Sequence, residues 1–133
     1  MQILRSPQDV YRKVDLDARI AGADPQQLVL LCYEQLGTAL GSAVHAAQAG
    51  DNARKSAALT RALSAITALQ MGLDTAAPVS AALATFLDAA RHTVLGTVIA
   101  FDAPALERLK SDVTELAAAF RQAGSAADKV RNG

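Results

Sequence analysis

The sequence predicts an all-α fold: an antiparallel up-down four-helix bundle with a short N-terminal capping helix. Thirty of the 133 residues are alanine and only 4% are aromatic, a composition that favours helix and removes the residues strands prefer. Breaker signals at Ser6-Pro7, Asp24-Pro25, Gly50-Asp51, Ala77-Pro78 and Asp102-Ala103-Pro104 separate stretches that contain no interior proline. Placed at 100° per residue, the apolar side chains of each long stretch gather on one face.

The first element is a short helix from about 7 to 18, with Ser6 as cap acceptor ahead of Pro7 and with Val10, Tyr11 and Val14 on one side. Residues 1–20 are expected to form this N-terminal segment and 21–123 the bundle. Asp24, with Pro25 at the first helical position and Gln27 in capping-box spacing, opens the helix expected over 25–49. Its stripe is Val29, Cys32, Tyr33, Leu36, Leu40, Ala43, Val44 and Ala47. After the Gly50-Asp51 turn, 52–73 carries Leu59, Ala62, Leu63, Ile66, Leu69 and Leu73. The stretch 79–100 carries Val79, Leu83, Phe86, Leu87, Ala90, Val94 and Val98, and 104–123 carries Leu106, Leu109, Val113, Leu116, Ala117 and Phe120. Residues 124–133, GSAADKVRNG, lack periodicity and are expected to fray as a flexible tail. Connections this short between helices of roughly 30 Å force sequential neighbours to run antiparallel.

Thirteen basic and thirteen acidic side chains leave no net charge, and Arg54, Lys55, Arg61, Arg108, Lys110 and Arg121 are scattered among acids without forming a stripe. Nucleic acid is therefore excluded as the expected partner. The opening MQILRSPQD lacks a basic region followed by an apolar one, and no run approaches the roughly 18 apolar residues of a membrane span. A cytoplasmic protein without membrane insertion is expected. The single cysteine, Cys32, allows no internal disulfide or multi-cysteine metal site and reads as a small buried hydrophobe. No catalytic residues, metal or cofactor are expected: an inward Glu-x-x-His pattern, G-x-S-x-G and a phosphate loop are all missing.

One feature exceeds what a bundle core needs. Leu28, Leu30 and Leu31 fall outside the first long stripe, so the first two turns of that helix are apolar nearly all round. Leu95 and Ile99 sit off the stripe of the third long helix, and Ile20 lies just before Asp24. A second apolar surface is expected, made from parts of two helices and roofed by the N-terminal segment. Contiguous exposed apolar surface marks interaction sites, and amphipathic helices dock in such grooves.

The run YRKVDLDARIAGADPQQLVLLCYEQL, Tyr11 through Leu36, resembles the opening of FliS-type flagellar chaperones: a tyrosine, a polar stretch, a threonine-alanine-serine-proline helix start, whose place Gly22-Ala23-Asp24-Pro25 takes here, then an apolar run and a leucine-tyrosine pair, with Leu28, Leu30, Leu31 and Tyr33 matching the run and its tyrosine. The segment AAQAGDNARKSAALTRALSAITALQMGLD is similar to that family's second hairpin, and the likeness continues through Asp102 and Leu106. In 79–100, where the family shows paired tyrosines, an arginine pair and an Ala-Asn, this chain has Leu87, Ala89, His92-Thr93 and Thr97-Val98. The resemblance implies a protein that captures the disordered C-terminal segment of flagellin in the cytosol, prevents premature polymerisation and aids delivery to the flagellar type III export gate. Its expected contact residues here are Tyr11, Val14, Ile20, Leu28, Leu31, Tyr33, Leu95 and Ile99. On this reading Leu31→Asp abolishes client binding and leaves the bundle folded.

Two other functions fit the same fold. His92-Thr93-Val94-Leu95-Gly96 is similar to the His-x-x-Lys-Gly segment of histidine phosphotransfer domains, with Leu95 where the lysine belongs. A helical adaptor or regulator that binds a folded partner through the same surface is the other, because bundles host many functions.

Overall fold

The computed structural model describes residues 25–74 and 76–132. Four helices account for them: α1 (Pro25–Gln48), α2 (Asn52–Met71), α3 (Ser80–Ile99) and α4 (Ala103–Asn132). No strand occurs among the described residues. The capping helix expected over 7–18, together with Tyr11, Val14 and Ile20, lies outside them.

The turn between α1 and α2 shows how local chemistry sets the topology. Gly50 takes a left-handed φ of 71°, and its N–H donates to Ala47 O while the N–H of Asp51 donates to Ala46 O. These two bonds form a Schellman closure, which satisfies carbonyls that the end of a helix leaves open. Asp51 then caps the next helix, its carboxylate accepting from the Arg54 N–H at 3.0 Å. One residue thus closes α1 and opens α2, so the two helices must fold back on each other. Gly50→Ala is expected to lower the unfolding free energy by about 1 kcal/mol, because a Cβ disfavours the left-handed conformation. A shifted urea midpoint at constant m would show it.

The helix order follows from which side chains meet. Tyr33 stacks on Phe120 with ring centroids 5.3 Å apart, and Arg121 lies 3.7 Å from Glu34, so the start of α1 meets the later part of α4. Arg91 on α3 reaches Thr67 and Gln70 on α2, and Lys55 lies 5.2 Å from the Phe101 ring centroid. Both neighbouring pairs run antiparallel, as expected. The α1 helix packs extensively on α2 and α4, whereas α3 leans mainly on α2 and only lightly on α4.

The core holds Tyr33, Leu36 and Leu40 of α1, Leu59 and Ile66 of α2, Leu87 and Val94 of α3, and Leu106 and Val113 of α4. Two expectations on α3 are corrected. Val79 and Val98 are exposed, and the buried positions are Ser80, Leu87, Ala90, Val94 and Thr97. The spacing from 87 to 97 alternates three and four residues, the seam of a bundle helix, which passes through 97 and leaves 98 outside. Thr97 tolerates burial because its hydroxyl donates to Val94 O at 2.7 Å. The third difference concerns α4, whose backbone stays helical to Asn132 instead of ending near Gly124. The last ten residues contain no proline, and a single glycine costs a helix only about 1 kcal/mol.

Candidate functional site

Two surfaces of the bundle differ in chemistry. The first is on α3. The exposed large apolar side chains among the described residues are Met71, Val79, Leu95, Val98 and Ile99, so they gather at the end of α2, the entry to α3 and α3 itself. Leu95, Val98 and Ile99, with 45%, 59% and 90% exposure, stand at i, i+3 and i+4 and form one strip along the last turns of α3. Below the strip, Arg91 donates to Thr67 Oγ1 at 2.7 Å and to Gln70 Oε1 at 2.6 Å, and Gln70 donates to Asp88 Oδ1 at 3.2 Å. This polar clasp ties α3 to α2 at the level where the apolar strip begins.

The second surface runs along the outer side of α1, between the first half of α2 and the middle of α4, as a groove of about 1130 Å³. Its floor is made of small side chains, among them Gly37, Gly41, Ser42 and Ala49, and its rims carry Arg54, Arg61, Lys110 and Arg121. The sequence did not show these cations as a group. They belong to two helices, and only the packing of α2 and α4 on either side of α1 brings them together. The usable signal was the pair of glycines at four-residue spacing, Gly37 and Gly41, on α1.

The structure distributes the expected contact residues unevenly. Leu95 and Ile99 are exposed and share a strip. Leu28 is half-buried, while Leu31 and Tyr33 have only 5% and 1% of their surface exposed. The two groups do not form one surface. With both neighbours antiparallel, Leu95 and Ile99 stand level with the middle of α1, on the order of 15 Å along the axis from Leu28 at 1.5 Å per residue. In the cyclic order of the bundle, α1 and α3 are also diagonal to each other.

His92 is exposed and its Nδ1 lies 2.9 Å from Asp88 O. A carbonyl only accepts, so this contact puts the imidazole proton on Nδ1. One turn on, where a phosphotransfer site uses lysine, Leu95 presents an apolar side chain. Among the described residues no three His, Cys, Asp or Glu side chains come together as metal ligands.

Burial pushes both the Cys32 thiol and the Tyr33 phenol above their ordinary pKa values. Both groups hold their protons to higher pH in the fold than in the unfolded chain. Their contribution to stability is complete below the ordinary thiol range and is lost as pH rises through the raised values. Alkylation of Cys32 by iodoacetamide is expected to be slow, with a rate midpoint at higher pH than that of free cysteine. A midpoint at or below the free value would contradict the burial of this thiol.

Compared with known families, residues 7–127 match the model described as Flagellar protein FliS. The chain belongs to the FliS family. No curated protein matches it. The match spans α1, α2, α3 and most of α4, so every element of the bundle is part of the FliS fold. This FliS-family chain is accordingly a flagellar protein from a family of chaperones, and flagellar proteins are the class its partner comes from. No helix among its described residues is long and apolar enough to cross a membrane.

Proposed function

We propose that this FliS-family protein is a cytoplasmic export chaperone that binds the disordered C-terminal region of flagellin, keeps it from polymerising early, and aids its delivery to the flagellar type III export apparatus. The observation that carries the reading is the exposed strip Leu95, Val98 and Ile99. Single surface leucines are ordinary, but three large apolar side chains in register on the least embedded helix leave a partner's apolar face somewhere to rest. A flagellin terminus carries an amphipathic pattern meant for packing inside the filament, and it needs cover until assembly. A segment that folds on binding gives up ordering entropy at that moment, which allows a large contact and still permits release.

In this proposal Leu95 and Ile99 meet the client directly, with Val98 added to the set the sequence suggested. Leu28 is a further contact on α1, and Tyr11, Val14 and Ile20 complete the set. Leu31 and Tyr33, being buried, serve by holding the first turns of α1 in place.

Calorimetric titration of the purified protein with the C-terminal segment of flagellin from the same organism tests the reading. Stoichiometric binding with a negative heat-capacity change is expected, the signature of apolar burial. Absence of both heat and co-purification would remove flagellin as the client. Phosphorylation of His92 by a response-regulator phosphodonor would instead favour the phosphotransfer alternative.

A further inference from the structure

Resting on the flagellin reading above, we infer that Arg91 is a specificity-determining residue of the client surface. It takes a carboxylate on the client's helix, one turn away from the apolar side chains that settle on Leu95, Val98 and Ile99. Position on the helix comes first. At 100° per residue, Arg91, Leu95, Val98 and Ile99 stand at i, i+4, i+7 and i+8 and share one face of α3. Arg91 therefore extends the exposed strip by one turn, to about 12 Å along the axis. The same side chain shows which way this face turns. Its Nη2 donates to Thr67 Oγ1 and Gln70 Oε1, so it lies across the seam between α3 and α2. The two helices are antiparallel, so one turn on from Arg91 is one turn back from Thr67, which sets the half-buried Leu63 roughly level with Leu95. The strip is one side of this seam, Leu63 is on the other, and a guanidinium crosses its lower end.

Charge decides what that end takes. Arg91 is half-buried, and both of its bonds go to neutral oxygens. Among the described residues it takes part in no ion pair. Asp88, one turn before it on α3, accepts from the Gln70 amide. Both bonds use Nη2, which leaves the N–H groups of Nη1 and Nε without a partner among the described residues. A helix lying along the strip also covers Arg91 from water. Covering a cation without pairing it costs free energy, whereas a carboxylate takes two of its N–H donors at once. The charge thereby adds what an apolar strip lacks. Leucines can slide along Leu95, Val98 and Ile99 by a turn, but only one register of the client also places an acid on Arg91. A client helix with an acid and two apolar side chains at i, i+4 and i+7, in either chain direction, satisfies both.

The full chain is titrated with the flagellin C-terminal segment and with versions in which each aspartate or glutamate is replaced singly by its amide. One amide version is expected to bind about tenfold more weakly, and Arg91→Met to weaken the unaltered segment by about tenfold. The two changes together are expected to lose no more than either alone, the mark of a direct pair. Arg91→Lys, which keeps the charge without the planar fork, is expected to recover part of the loss. Methionine retains the apolar stem, and helical circular dichroism separates a lost contact from a lost fold. A residue that merely braces α3 against α2 would lose affinity alike for acid and amide versions. Unchanged affinity in folded Arg91→Met, or equal losses for every acid and amide pair, would overturn the inference. Failure of the unaltered chain to bind any flagellin segment removes the client reading separately. An alanine-based helical peptide with glutamate at i and leucine at i+4 and i+7, set against its glutamine counterpart, then decides. A preference of about tenfold for glutamate that Arg91→Met abolishes upholds Arg91 as a carboxylate site, and equal or absent binding removes it.

Discussion

Replacing Leu31 with aspartate is expected to cost the fold on the order of 3–5 kcal/mol, a loss of stability and not merely of client binding. From sequence alone the same substitution reads as a clean test of binding, because Leu31 lies off the apolar stripe of its helix. The structure changes the expectation: only 5% of the Leu31 surface is exposed. A carboxylate introduced there either stays charged without a partner or takes up a proton, and both cost folding free energy. The cavity left by the leucine adds to that cost. Urea unfolding of Leu31→Asp, with Leu31→Met as a volume-conserving control expected to lose under about 1.5 kcal/mol, measures it. A wild-type midpoint for the aspartate variant would place Leu31 at an open surface and return it to the set of direct contacts.

The second large effect concerns binding. Leu95→Lys combined with Ile99→Lys is expected to weaken binding of the flagellin C-terminal segment by about 100-fold or more, equivalent to about 2.7 kcal/mol. Both side chains are exposed, so the change removes no core contact. Both also lie in the last turns of α3, where a cation interacts favourably with the negative end of the helix dipole. Helix stability is therefore expected to stay within about 0.5 kcal/mol of the parent. Titration calorimetry reads the affinity and urea unfolding reads the fold, so the two contributions separate. Unchanged affinity in a stably folded double variant would take the α3 strip out of client recognition.

The legibility of the fold differed between elements for identifiable reasons. On α2 and α4 the expected stripes match the buried faces closely, because each of these helices has an apolar face and a polar opposite side, whereas α1 also buries Leu31, Gly37, Ala39 and Ala46 outside its stripe. The apolar residues of α3 surround more of its circumference. Periodicity there could not separate Val98, which is exposed, from Thr97, which is buried and satisfied by its own backbone. Helix ends were readable where a specific residue does a specific job. Asp51 and Asp102 both accept from the backbone N–H three residues on, as N-caps do. The end of α4 was not, since a lone glycine without a following proline is a weak stop.

Local sequence determined which stretches are helical, where most of them start, and which side of α2 and α4 turns inward. These follow from propensity, capping and a 3.6-residue repeat, all of which act within a few residues of one another. Only tertiary packing decided that Leu31 is covered and Ile99 is not, that the apolar turns of α1 and the strip on α3 stand apart on diagonal helices, and that four cations scattered along two helices line one groove. The physical reason is the same in each case. A helix's own pattern shows which face is apolar, but whether that face is sealed depends on the height and side at which another helix meets it, and residues far apart along the chain set that meeting.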